Sequence, residues 1–142
     1  MAIYSLSLKT TNTTTANACL EIITASTNRP RLLELGLSLN AATASEFGLG
    51  RPAAIGITPT TPVTFLAEDP ADAAATVTAA LAWGTGPTIP TNFFRRVSLP
   101  ATVGAGVIWT FPRGLLIPIS SSLILWNLST TSAADIWAII DE

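Results

Sequence analysis

Apolar residues recur at every second position along most of this chain, and prolines and glycines cut the pattern into short runs. A period of two fits a strand that buries one side; a helix would need a period near 3.6. Tyr4, Leu6 and Leu8 alternate with Ser5, Ser7 and Lys9, and Leu20 and Ile22 flank Glu21. Leu33, Leu35, Leu37 and Leu39 form the clearest run, predicted to share one face. Further runs are Val77 to Trp83, Phe93 to Leu99, Val107 to Phe111, Leu123 to Leu128 and Ile136 to Ile140. Ten prolines and nine glycines leave no room for long helices. One helical start, Asp69-Pro70, leads into β-branched Thr76, Val77 and Thr78, so at most a short turn precedes a strand there.

About eight short strands with Gly/Pro turns predict an all-β domain spanning 1–142, a jelly-roll-like two-sheet sandwich. An immunoglobulin-like sandwich ranks second, because no cysteine pair brackets a tryptophan. Residues 1–16 read as an N-terminal arm. Residues 41–75, with Gly48-Leu49-Gly50-Arg51-Pro52 as a turn signal, read as a long irregular loop.

Charge is scarce: 11% of residues, against roughly 25% in ordinary soluble domains. Mean hydropathy is +0.50. Apolar runs are interrupted before they reach about 18 residues, so no membrane helix is expected. The first residues have neither a charged start nor a continuous apolar stretch, so no signal peptide is expected. The remaining explanation is that other protein covers part of the surface. A net charge of −2 and one adjacent basic pair, Arg95-Arg96, are too little for a nucleic-acid interface.

Histidine is absent, which removes Ser-His-Asp and Cys-His catalysis and histidine metal sites. The single cysteine, Cys19, sits among apolar residues and reads as core. Glu68, Asp69 and Asp72 match no calcium loop and read as solvated, so no metal or cofactor is expected. Two glycosylation sequons, at Asn12 and Asn127, read as chance. No enzymatic activity is expected.

The candidate functional residues are therefore interface residues: Phe47, Leu49, Arg51, Arg95, Arg96, Trp126 and Trp137. Arginine and tryptophan are enriched at interface hot spots. Trp126 and Trp137 lie in strands that are apolar in both phases, which implies burial on both faces.

Phe93 to Leu128 carries Arg95-Arg96, Gly106-Val107-Ile108-Trp109-Thr110, Pro112 to Pro118 and Ser121 to Asn127. This stretch resembles small jelly-roll proteins of tailed-phage virions, and Gly48 to Pro70 is similar to a loop in such proteins. The resemblance implies a virion component with no catalytic residues. The expected function is a capsid decoration or cement subunit, a homotrimer bound to the major capsid protein on the head surface and made in the host cytoplasm. The alternative is a tail-tip or fibre module that recognises a host glycan through exposed aromatics.

Overall fold

In the computed structural model, which describes residues 2–10, 18–129 and 133–142, the chain forms one long antiparallel hairpin rolled into two sheets. The outgoing arm is Ile3–Lys9 (β1), Ala18–Ile23 (β2), Arg31–Leu39 (β3) and Ser45–Gly50 (β4). An excursion follows, with five short strands: Ile57–Pro59 (β5), Pro62–Thr64 (β6), Leu66–Ala67 (β7), Thr78–Ala80 (β8) and Trp83–Thr85 (β9). The return arm is Phe93–Leu99 (β10), Gly106–Leu116 (β11), Ser122–Asn127 (β12) and Ala134–Asp141 (β13). The arms pair as β1 with β13, β2 with β12, β3 with β11 and β4 with β10. These pairs alternate between a sheet ordered β11-β3-β13-β1-β7 and one ordered β10-β4-β12-β2-β8-β6, the jelly-roll arrangement. No helix occurs among the described residues.

The core lies between the sheets and is built from the inward phase of each strand. Leu35, Leu37, Leu39, Phe47, Leu49, Leu123, Leu125, Ile136 and Ile140 are buried there. Leu33 departs from the expected face. Pairing with β13 shifts between Ile139 and Ile140, and this bulge puts Leu32 in the core and leaves Leu33 half-buried. Cys19 is buried, as its neighbours predicted.

Two segment readings need correction. The stretch 41–75 is not an irregular loop, because it contains β4, paired on both sides by β10 and β12. Its glycines mark close packing rather than a turn. A Cβ at Gly48 would sit 2.6 Å from the Phe93 ring, and one at Gly50 would sit 2.6 Å from Pro90. Nor is the N-terminus an arm over its described residues, because β1 lies between β13 and β7 and pairs with β13 along its whole length. Residues 11–16 and the Asn12 sequon lie outside the described residues.

The excursion also explains how β12 is buried on both faces. Leu123 and Leu125 face the core, whereas Ile124 and Trp126 lie on the opposite phase and are buried too. The chain's own segments 51–59 and 83–93 lie over the outer side of this sheet. Gly56 packs against Trp83, and the two-stranded ribbon of β5 and β9 is extended by bonds such as Thr60 N–H to the Ala82 carbonyl. A partner is therefore not needed to cover Trp126.

Glu21 fastens this cover. Its side chain is fully buried on the outer phase of β2. It accepts a 2.6 Å hydrogen bond from the Ser122 hydroxyl and 3.2 Å bonds from the Gly56 amide. Glu21→Ala strands a half-buried amide and a buried hydroxyl. It is expected to cost about 2–3 kcal/mol. That is a fall of about 5–10 °C in melting temperature, read by thermal denaturation. Glu21→Gln, which keeps the carbonyl acceptor, is expected to lose less.

Candidate functional site

Strands β10 and β11 end their sheets on the same side of the sandwich, and each has one free edge. Irregular pairing along both strands pushes side chains out of this edge. The register of β10 shifts between Phe93 and Arg95, which lays Phe93 on Gly48 and exposes Phe94. Pairing of β11 with β3 is interrupted between Thr110 and Leu115. Pro112 cannot donate to the ladder there. Gly114 has φ +66°, a conformation that a side chain would strain, and the Arg31 side chain packs against it.

Arginines and phenylalanines interleave on the resulting ledge. The Arg51 guanidinium donates a 2.6 Å hydrogen bond to the Leu116 carbonyl and lies 4.8 Å over the Phe94 ring. Arg95 lies 5.3 Å over Phe111, and Arg96 lies 5.6 Å over Phe93 while pairing with Glu46. Arg31 donates to the Arg113 carbonyl at 3.0 Å. Two shallow clefts open here. One, of 320 Å³, runs between Arg51 and Asn92–Phe94; the other, of 380 Å³, lies between Arg95 and Phe111–Leu115.

The ledge holds five of the chain's seven basic residues. Among the described residues only Arg96 has a carboxylate partner. Arg51 and Arg95 each give one N–H to a backbone carbonyl, of Leu116 and Phe94, and a guanidinium with five N–H groups retains others that can bind a carboxylate. The ledge therefore offers cationic donors beside aromatic rings, an arrangement complementary to acidic groups.

Of the residues expected at an interface, Arg51, Arg95 and Arg96 meet on this ledge. Phe47 and Leu49 do not: both are fully buried inward residues of β4. Trp126 lies under the excursion. Trp137 is elsewhere, half-buried on the uncovered face of the five-stranded sheet. Its indole lies flat across Gly36 and donates to Glu34 at 2.9 Å. Sequence reasoning missed Arg31, Phe94, Phe111 and Arg113. The signal was present in Phe93-Phe94-Arg95-Arg96 and Phe111-Pro112-Arg113, two aromatic–basic clusters on neighbouring strands.

The opposite edge of the sandwich is acidic. Glu68, Asp69 and Asp72 follow β7 and are exposed. Glu68 accepts from Ser5, and Asp69 accepts from the Ala71 amide at 2.9 Å. Nearby, Tyr4 donates to the Ala73 carbonyl at 3.0 Å. Burial raises its phenol above the ordinary value, and the charges of Glu142 and Asp72 add to this. Partial burial alone would push the Glu142 carboxyl up. Hydrogen bonds from the Thr76 and Asn28 side chains and from the Thr76 and Val77 amides outweigh it and hold the carboxyl below its ordinary value.

Among the described residues no three His, Cys, Asp or Glu side chains are grouped to hold a metal. Asn127 of the second sequon is fully buried, and its side-chain Oδ1 accepts from the Ser129 backbone amide at 3.0 Å. Compared with known protein families, with curated proteins and with solved structures, the chain finds no match.

A carboxyl held below its unfolded value stabilises the fold above that unfolded value and stops doing so as pH falls through the folded one. Thermal stability is therefore expected to drop as pH falls from about 4.5 through the lowered value of Glu142, and Glu142→Gln is expected to flatten that drop. On the ledge, Arg51→Ala removes a hydrogen bond and a ring contact and is expected to cost about 1 kcal/mol in urea unfolding. Arg113→Ala is expected to stay within about 0.5 kcal/mol.

Proposed function

We propose that this chain is a structural subunit of a tailed-phage virion, a decoration or cement protein that binds the head shell as a symmetric oligomer. The observation that carries this reading is the ledge, where Arg31, Arg51, Arg95 and Arg113 have no carboxylate partner among the described residues. Arg96 is paired with Glu46 and Arg31 lies across the ladder from Asp141, which leaves Arg51, Arg95 and Arg113 as the ledge cations with no carboxylate opposite them in the sheet. The jelly-roll scaffold, the lack of histidine and the exposed Ile57, Leu66, Val103 and Ile108 support a role in contacts rather than in chemistry. Apolar burial at roughly 25 cal/mol per Å², repeated over many copies, is enough to clamp a shell.

A second reading, recognition of a host glycan, has one observation in its favour. The indole of Trp137 rests one face on Gly36 of an uncovered sheet, with the Glu34 carboxylate beside it. An exposed ring face next to hydrogen-bonding groups suits a sugar.

The two readings separate on depleted particles. Shells lacking this protein are expected to assemble but rupture at lower temperature or under osmotic shock, and added purified protein is expected to restore resistance. Particles that stay robust but no longer adsorb to cells favour the glycan reading instead. Trp137→Ala is then expected to abolish adsorption.

A further inference from the structure

The geometry points to the acidic edge of a second copy of this chain as the occupant of the arginine–phenylalanine ledge. This inference rests on reading the ledge as an assembly contact and names the partner. Strands β11 and β7 are the two ends of the five-stranded sheet. Four strand spacings separate them, roughly 19 Å at about 4.8 Å each. The Debye length at physiological salt is about 8 Å, so the two edges hardly neutralise one another within a single molecule.

One edge carries Arg51 on exposed Phe94, with Arg95 and Arg113 beside half-buried Phe111. The other carries Glu68, Asp69 and Asp72 around Leu66, which is 70% exposed. Each edge therefore offers an apolar centre and charges of opposite sign to the other. Both also end in strands with one unpaired backbone side, which favours edge-to-edge contact between molecules. Because the two surfaces differ, the contact is head-to-tail, and such contacts close into rings when the rotation between copies permits. A ring built this way neutralises every ledge with a neighbour's carboxylates and leaves the uncovered sheet face with Trp137 free for the shell.

Sedimentation velocity of the purified chain at micromolar concentration tests this. The wild type is expected to run as a multiple of 14.8 kDa and to dissociate as salt is raised. Arg95→Glu with Arg113→Glu, and separately Glu68→Lys with Asp72→Lys, are each expected to weaken association about tenfold or more. Circular dichroism and melting checks that each variant is folded. The chain carrying all four changes reverses both edges together and is expected to regain association. An oligomer indifferent to both reversals overturns the proposal, as does a four-fold variant that is folded but monomeric. A wild type that is monomeric also overturns it, and if that monomer still toughens depleted shells, the cement reading survives on its own.

Discussion

Strand β4 carries glycine at two of its outward positions, 48 and 50, and the chain that leaves its end returns to rest on them. Phe93 and Pro90 occupy the space that side chains would fill. Much follows from this contact. It seats the excursion against the six-stranded sheet, where Glu21 and Gly56 fasten it. With that cover in place, β12 is buried along its whole length. It also fixes where β10 begins, because Phe93 is turned onto the sheet and Phe94 is pushed outward. The ledge is thus a consequence of how the roll is closed.

The same contact explains what was legible in the sequence and what was not. Strands that bury one side announced themselves by alternation: β1, β3 and β10 lie where the periodicity put them. β4 did not, because two of its outward residues are glycines and Pro52 follows it. Glycine signals a turn when its neighbours are polar, and a close backbone approach when they are Phe47 and Leu49; the sequence alone does not say which surface does the approaching. The run Val77 to Trp83 had the opposite fault. It alternates like one strand but divides into β8 and β9, which belong to different sheets. The double-sided apolar pattern of β12 was read correctly as burial on both faces, but the cover came from the same chain.

The candidate site was half legible. Arg95-Arg96 and Arg51 stood out as residue types, yet their meeting depends on β4 and β10 pairing in the register Phe93–Gly50 and Arg95–Leu49. Arg31 and Arg113 are 82 positions apart and meet only through the bulge at Gly114. No periodicity carries that information. Phe47 and Leu49 were misplaced for the same reason as β4: residues assigned to a loop were in fact the centre of a strand.

Scarce charge had suggested a covered surface, and its distribution now sharpens that argument. Sixteen charged side chains, seven basic and nine acidic, serve an accessible surface of 6864 Å². Spread evenly, they would give a weak, featureless field. Instead the basic ones gather where two sheet edges end, and a group of acidic ones gathers at the far edge. Sheet edges are where a β protein is most prone to associate, and natural edges are commonly guarded by charge of one sign. Here the two edges are guarded by opposite signs. Like charges repel and unlike charges attract, so under the proposed contact this distribution disfavours pairing of like edges and favours one orientation. Segregation of this kind costs a monomer the benefit of local ion pairs. In the proposed head-to-tail contact, that cost is offset where each edge meets its opposite on another molecule.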